Sequence, residues 1–364
     1  MKLSCLQENL NTGLNIVRGA ITTKNSNPIL KDVLLSTDGS RLKLMATDTV
    51  LTITCWVPAK IETEGAIVIP AKLLSDFVES LPSDRVDLEL APPMTLSIHC
   101  ARMHGRINGI KASDFPKVTM SPDRITTKVN SKSLCEAINL VKFATSPGNS
   151  NPVLSTVNFK FEGNQLTLAA ADGFRLAVSK LTLEEPIVGI TSLNVPIGAI
   201  NEVSHFSNQV DTIEIAFNKK EILFRHSSVE IQSALLEGSY PQYSRLIPTS
   251  SSTTLTIETL QFLRAVKLAM AVDGTIRLIV EPDNSVTITS KSDDDNDDTS
   301  RSTISANIVG NPLKIAFSGK YLVDVLNELK TTKTVELCLA APTMPAIIKS
   351  DNYEYVIMPI AVPW

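Results

Sequence analysis

Asn25-Ser26-Asn27-Pro28, followed by Ile29-Leu30, returns as Asn149-Ser150-Asn151-Pro152, followed by Val153-Leu154; Pro152 lies 124 residues beyond Pro28. The same offset links Leu44-Met45-Ala46-Thr47-Asp48 to Leu168-Ala169-Ala170-Ala171-Asp172, both in a strand-then-turn setting. Further along, Pro70 before a helical run is matched by Pro196, and Phe115-Pro116 by Tyr240-Pro241. The last third repeats the order more faintly. There Ser318-Gly319 opens the helical run Lys320 to Lys330, and Met358-Pro359 stands where the Phe-Pro and Tyr-Pro pairs stood. A period this long belongs to whole domains rather than to a solenoid. Three copies of one domain are expected, at 1–120, 121–250 and 251–364.

The chain of 364 residues exceeds one ordinary core, and each third is near the common domain size. With 43% hydrophobic and 20% charged residues, it has the composition of a globular protein. It lacks an apolar run long enough to span a bilayer and any signal-like N-terminus, so a cytoplasmic location without membrane contact is expected. Five cysteines without a Cys-x-x-Cys pair fit reduced thiols.

Within the first third, Leu10, Leu14, Val17 and Ile21 recur at helical spacing, with Asn11, Asn15, Arg18 and Thr22 on another face. Val33–Leu35, Leu42–Ala46 and Leu51–Val57 are short β-rich runs broken by Asp38-Gly39 and Thr47-Asp48. Ile67–Ile69 leads through Pro70 into a helix over Lys72–Leu81, and three further strands follow. In the second third, Leu134, Ile138 and Val141 mark a helix, as does Ile197–Phe206; in the third, Leu260, Leu263, Val266 and Met270 do the same. The expected fold class is α+β: three tandem copies of a two-helix, two-antiparallel-sheet domain, with the helices on one side of the sheets. Tandem domains with similar junctions rotate steadily. An arc of three closes most simply by meeting a second copy head to tail, giving a homodimer of six domains.

The net charge is −4, yet the first helices are poor in acids and carry bases on their polar sides. Arg18 and nearby Lys24, Lys132 and Lys142, and Arg264 and Lys267 are those bases, and Lys72 and Lys320 hold matching early positions in second helices. One such lysine alone is ordinarily a solvated surface group. Repeated in three copies, they make a basic rim that would attract a phosphate backbone without reading bases.

Signatures of catalysis are missing: there is no phosphate-binding Gly-rich loop, Gly-x-Ser-x-Gly elbow, His-Glu-x-x-His or paired-cysteine spacing. His99 and His104 lack a third ligand, and the run Asp293 to Asp298 lacks the glycine and closing glutamate of a calcium loop, so neither metal nor cofactor is expected. The acidic run reads as a solvated hairpin tip. A hydrolase or transferase would need converging titratable groups that this sequence does not supply. A β-rich interaction scaffold that never closes into a ring is the other alternative.

The segments Ala46-Thr47-Asp48, Asp114-Phe115-Pro116, Ala171 to Val178, Glu237 to Tyr243, Tyr321 to Leu326 and Tyr355 to Pro359, in this order, resemble the bacterial DNA polymerase III beta subunit family, the sliding clamps. The resemblance spans the full length. It implies a non-catalytic homodimeric ring around double-stranded DNA, sequence-independent in its contacts. Such a ring tethers the replicative polymerase alpha subunit and is handled by the clamp loader delta subunit.

The resemblance also implies a cleft for short motifs of these and other partners. Carried over by position, its first pocket takes in Leu154, Gly173, Phe174, Arg175, Leu176, Pro241, Arg245, Leu246, Val356 and Met358; a second region takes in Tyr321, Met344, Pro359 and Ile360. Apolar walls would bind side chains, and the arginines would hold a partner's carbonyls or carboxylates. Read from the residues alone, the same apolar positions are core. Phe174 stands where the family often has histidine, and basic residues common near the end of the family are replaced by Ala361-Val362-Pro363-Trp364. Ile107 on one side, and Ala269, Met270 and Val272 on the other, are the expected dimer contacts.

Overall fold

A computed structural model describes residues 1–21, 27–118, 121–148, 151–206, 211–291 and 299–364. Lys24, the first two residues of each Asn-Ser-Asn-Pro and the acidic run 293–298 lie outside the described residues. The first repeat contains β1 (Lys2–Leu6), α1 (Gln7–Val17), β2 (Asp32–Asp38), β3 (Arg41–Thr47), β4 (Leu51–Pro58), β5 (Lys60–Thr63) and β6 (Ala66–Pro70). It continues with α2 (Ala71–Glu79), β7 (Arg85–Ala91), β8 (Thr95–Cys100) and β9 (Met103–Asn108). The second has β10 (Ile125–Asn130), α3 (Ser131–Lys142), β11 (Thr156–Ala171), β12 (Arg175–Pro196), α4 (Ile197–Phe206), β13 (Thr212–Phe217), β14 (Glu221–His226) and β15 (Val229–Ala234). The third has β16 (Thr253–Glu258), α5 (Thr259–Met270), β17 (Thr275–Val280), β18 (Ser285–Lys291), β19 (Thr299–Gly310) and β20 (Leu313–Ser318). It ends with α6 (Gly319–Glu328), β21 (Thr334–Leu339), β22 (Ala346–Ser350) and β23 (Tyr353–Ile357).

The repeated motifs perform the same local task in both copies. Asn27 and Asn151 each accept a hydrogen bond from the amide two residues on, Ile29 N at 3.3 Å and Val153 N at 3.2 Å, and so cap short 3₁₀ turns whose first residue is proline. Asp48 Oδ1 accepts from Val50 N and Leu51 N, and Asp172 Oδ1 accepts from Phe174 N and Arg175 N. The 124-residue offset is therefore one aspartate-stabilised turn used twice.

Two compact units divide the chain, Met1–Ser131 with Asn201–Leu235, and Lys132–Ile200 with Leu236–Trp364. The first holds a five-stranded sheet, β5-β1-β7-β8-β9, and an eight-stranded one, β10-β13-β14-β15-β4-β3-β2-β6. The second holds a ten-stranded sheet, β11-β12-β23-β22-β21-β16-β19-β18-β17-β20. The cut runs through the middle repeat because its strands join two different sheets. β15 pairs antiparallel with β4 (Ile231 opposite Ile53), and β12 pairs antiparallel with β23 (Leu176 opposite Val356).

Helices cover the sheets where the apolar stripes face them. In α1, Leu10, Leu14 and Val17 are buried, and Gly13 lets the helix settle on β3 and β4. The stripe ends sooner than the spacing predicts: after Val17 the chain tightens into a 3₁₀ turn, Arg18–Ala20, and Ile21 is extended. β1 and β5 are strands that the periodicity does not announce, since each is only 4 or 5 residues long. The connection from α5 to β17 is short, and Asp273 Oδ1 accepts from Thr275 N at 2.6 Å within it.

Candidate partner-binding cleft

The turn between β11 and β12 shapes the cleft. Gly173 takes φ +95°, which a side chain would resist, and so turns Phe174 outward, where it is 62% exposed. The Phe174 carbonyl accepts from Met358 N at 2.9 Å, fixing the chain just beyond β23 against this turn. Tyr321 comes from the first turn of α6, and its carbonyl accepts from the Tyr355 hydroxyl at 3.0 Å. Ile360 N donates to Ala316 O of β20 at 2.8 Å. These bonds set Phe174, Ser318, Tyr321, Met358, Pro359 and Ile360 around a cavity of about 300 Å³. Its lining carries no charged side chain, so it suits an apolar or aromatic side chain.

Two expected lining residues belong instead to the core. Leu176 and Val356 are only 3% and 4% exposed and cluster with Ala169, Val178, Cys338 and Ile347. Tyr243 and Ile247 pack against that cluster, and so turn the segment bearing Arg245 and Leu246 toward solvent. Leu246 is 59% and Met344 50% exposed, and neither lines the cavity; Leu154 is half-buried, and Pro241 is exposed. Ser318 is a further wall residue, whose polar side chain gives no apolar signal in the sequence.

Arg175 differs most from expectation. Its side chain is 6% exposed: Nε donates to Asp172 Oδ2 at 2.9 Å, Nη1 to Asp324 Oδ2 at 2.6 Å, and Nη2 to the Phe143 carbonyl at 2.7 Å. The guanidinium also lies over the Tyr321 ring, 4.3 Å from its centre. Burial pulls its pKa down, but the Asp324 hydrogen bond together with Tyr355 and Asp172 outweighs that, leaving it raised. Such an arginine has no free fork for a partner's carboxylate. Arg245, by contrast, is exposed.

Three family models match in order along the chain: the N-terminal domain of the DNA polymerase III beta subunit at 1–119, its central domain at 128–242 and its C-terminal domain at 244–361. The chain belongs to the DNA polymerase III beta subunit family. A beta sliding clamp of Synechococcus elongatus is 31% identical, with 99% of both chains covered, and one of Bacillus subtilis is 25% identical, with 98% of both covered. The crystal structure of a Bacillus subtilis DNA polymerase sliding clamp superposes with a TM-score of 0.94 at 25% identity over all of both chains. A Caulobacter crescentus pol III beta structure gives 0.90 at 27%, again over all of both chains. This beta-subunit chain therefore carries three clamp-fold domains with antiparallel sheets.

Among the basic residues expected to face DNA, Arg18, Lys72, Lys132, Arg264, Lys267 and Lys320 are exposed. Lys267 Nζ donates to Asn327 Oδ1 at 3.1 Å. Burial holds the Glu328 carboxyl above its ordinary pKa, and the half-buried Lys142 is close enough to offset part of that rise. Of the expected dimer contacts, Ile107 and Ala269 are buried within the chain, 4% and 0% exposed; Met270 is exposed, and Val272 is half-buried. His99 and His104 stack across β8 and β9 with ring centres 6.1 Å apart. Among the described residues no group of three or more His, Cys, Asp or Glu is placed to hold a metal, and no helix is long and apolar enough to cross a membrane.

Proposed function

We infer that this chain is a processivity clamp: two copies close head to tail into a ring of six domains around double-stranded DNA and hold the replicative polymerase alpha subunit to its template. The observation that carries this reading is the ordered match of all three beta-subunit domains over 1–361. The protein acts by position, without turnover, cofactor or metal, in the cytoplasm. The domain limits are 1–120, 121–250 and 251–364. A closed ring cannot leave DNA sideways, so weak sequence-blind phosphate contacts are enough, and a bound polymerase stays at high local concentration.

Sheet edges support the dimer. Within the chain, sheets are continued across repeats by β15 on β4 and β12 on β23. Among the described residues, β9 pairs with β8 alone, and Thr299–Ser305 of β19 pairs with β18 alone. Each is an edge with backbone groups able to pair, and β9 of one subunit against β19 of the other would continue the same pattern twice by two-fold symmetry. Met103, His104, Arg106 and Asn108 are the exposed side chains of β9. The cleft receives short apolar segments of the alpha subunit, the clamp loader delta subunit and other motif-bearing proteins. Phe174, Tyr321, Met358, Pro359 and Ile360 form its walls, Leu176 and Val356 support its floor, and Gly173 sets its turn. Leu154, Pro241, Arg245, Leu246 and Met344 form its margin.

The test is topological. Protein loaded on a nicked circular duplex should stay through gel filtration and leave once the circle is cut, and its mass in solution should be that of two chains. Retention on linear DNA with free ends, or a single-chain mass at micromolar concentration, would overturn the ring.

A further inference from the structure

We propose that Arg175 is a positioning residue: it fixes the shape of the partner cleft from beneath and does not itself touch the partner. The proposal rests on the cleft reading above and deepens it. Two of the cavity's walls depend directly on this guanidinium. The Tyr321 ring lies on its face at 4.3 Å, and Phe174 projects from a turn that Asp172 holds. Asp172 divides its carboxylate, giving Oδ1 to the amides of Phe174 and Arg175 and Oδ2 to Arg175 Nε. Nη1 reaches Asp324 on α6, the helix that also carries Tyr321, and Nη2 reaches the carbonyl of Phe143 just past α3. One side chain thus ties the Phe174 turn, α6 and the end of α3 together. The Phe174 carbonyl passes the constraint on to Met358 N.

A planar, five-donor group does this where lysine, a point charge, would not, because three acceptors in different directions must be met at once. At 6% side-chain exposure, each lost partner also leaves a charge buried and unpaired. The walls would then move by the sub-ångström amounts to which a preorganised site is sensitive.

The discriminating residue is Asp324, which does not line the cavity yet anchors the arginine. Binding of the purified polymerase alpha subunit should be measured by surface plasmon resonance for Arg175→Met, Arg175→Lys, Asp324→Ala and the Arg175→Met/Asp324→Ala pair. Each single variant should bind about tenfold or more weakly, lysine should fail to rescue, and the pair should be no weaker than Arg175→Met alone, since coupled residues are not additive. Solution mass and a cooperative melt confirm that each variant folds; should Arg175→Met not fold, Asp324→Ala and Arg175→Lys carry the test. Wild-type affinity for Asp324→Ala beside weakened Arg175→Met would mean that the arginine contacts the partner directly, and wild-type affinity for both would leave it no role; either overturns the proposal. Phe174→Ala/Met358→Ala is the control. If it too binds normally, the cleft reading fails; if it alone loses binding, only the positioning role fails.

Discussion

Three nitrogens of Arg175 are engaged inside the protein, and the strand that carries it explains why. Arg175-Leu176-Ala177-Val178-Ser179 is buried at every position, so both faces of β12 are covered here. One face, with Leu176 and Val178, packs into the cluster around Val356; the other brings Arg175 beneath Tyr321. A near-continuous apolar run is the sequence mark of a strand covered on both sides, and it was legible in Leu176-Ala177-Val178. The resemblance marked these residues as cleft, but the partition between wall and floor depends on which face each side chain takes beside β23, and that pairing is made over 170 residues away in sequence. The thiols follow the same logic of burial. Burial pushes Cys5 up to about 12 and Cys55 up to about 11, so almost no thiolate forms at neutral pH. Dithionitrobenzoate at pH 8 should therefore leave both untouched in the native protein and titrate all five cysteines after guanidinium treatment. Rapid native reaction at Cys5 or Cys55, mapped by mass spectrometry, would contradict the packing of β1 and β4.

At the scale of elements, α1 shows how a local rule yields to packing. A glycine in a helix interior costs about 0.8–1.0 kcal/mol relative to alanine, yet Gly13 sits between the buried Leu10 and Leu14. A Cβ built there would stand 2.6 Å from Val57 Cγ2 and 2.9 Å from Leu44 Cδ1, so the helix lies close to β4 and β3 because this position has no side chain. Gly13→Val should lower unfolding stability in urea by about 1–3 kcal/mol, the ordinary cost of overfilling a packed core. A variant as stable as the parent would show that α1 can lift off its sheet freely. The helices and most strands were legible because their periods are strong; the end of α1 was not. Ile21 continues the spacing, but Arg18-Gly19-Ala20 tightens to 3₁₀, where a Cβ on Gly19 would meet the Glu202 carboxylate from α4. No local pattern reports such a distant neighbour.

At the scale of the whole molecule, repeat and compact unit do not coincide, because the middle repeat gives β10, β13, β14 and β15 to one sheet and β11 and β12 to another. The repeat was legible in the sequence since each copy uses the same turns; the sharing of sheets was not, since edge pairing is a backbone property with little side-chain signature. Charge is the property that acts at this scale. The chain is net −4, so an attraction to DNA must come from local clusters such as the exposed Lys132 and Arg264 on α3 and α5. If these touch phosphate, Lys132→Glu/Arg264→Glu should make the clamp slide faster along stretched duplex. It should also flatten the salt dependence, by about 0.9 in the log–log slope for each phosphate contact removed. Retention on a covalently closed circle should be unchanged, because closure rather than charge prevents escape. Single-molecule tracking at stepped salt checks the first, and gel filtration of circular complexes the second. Unaltered sliding would place these cations away from DNA, and loss from closed circles would mean that the clamp is held by its charges and is no closed ring.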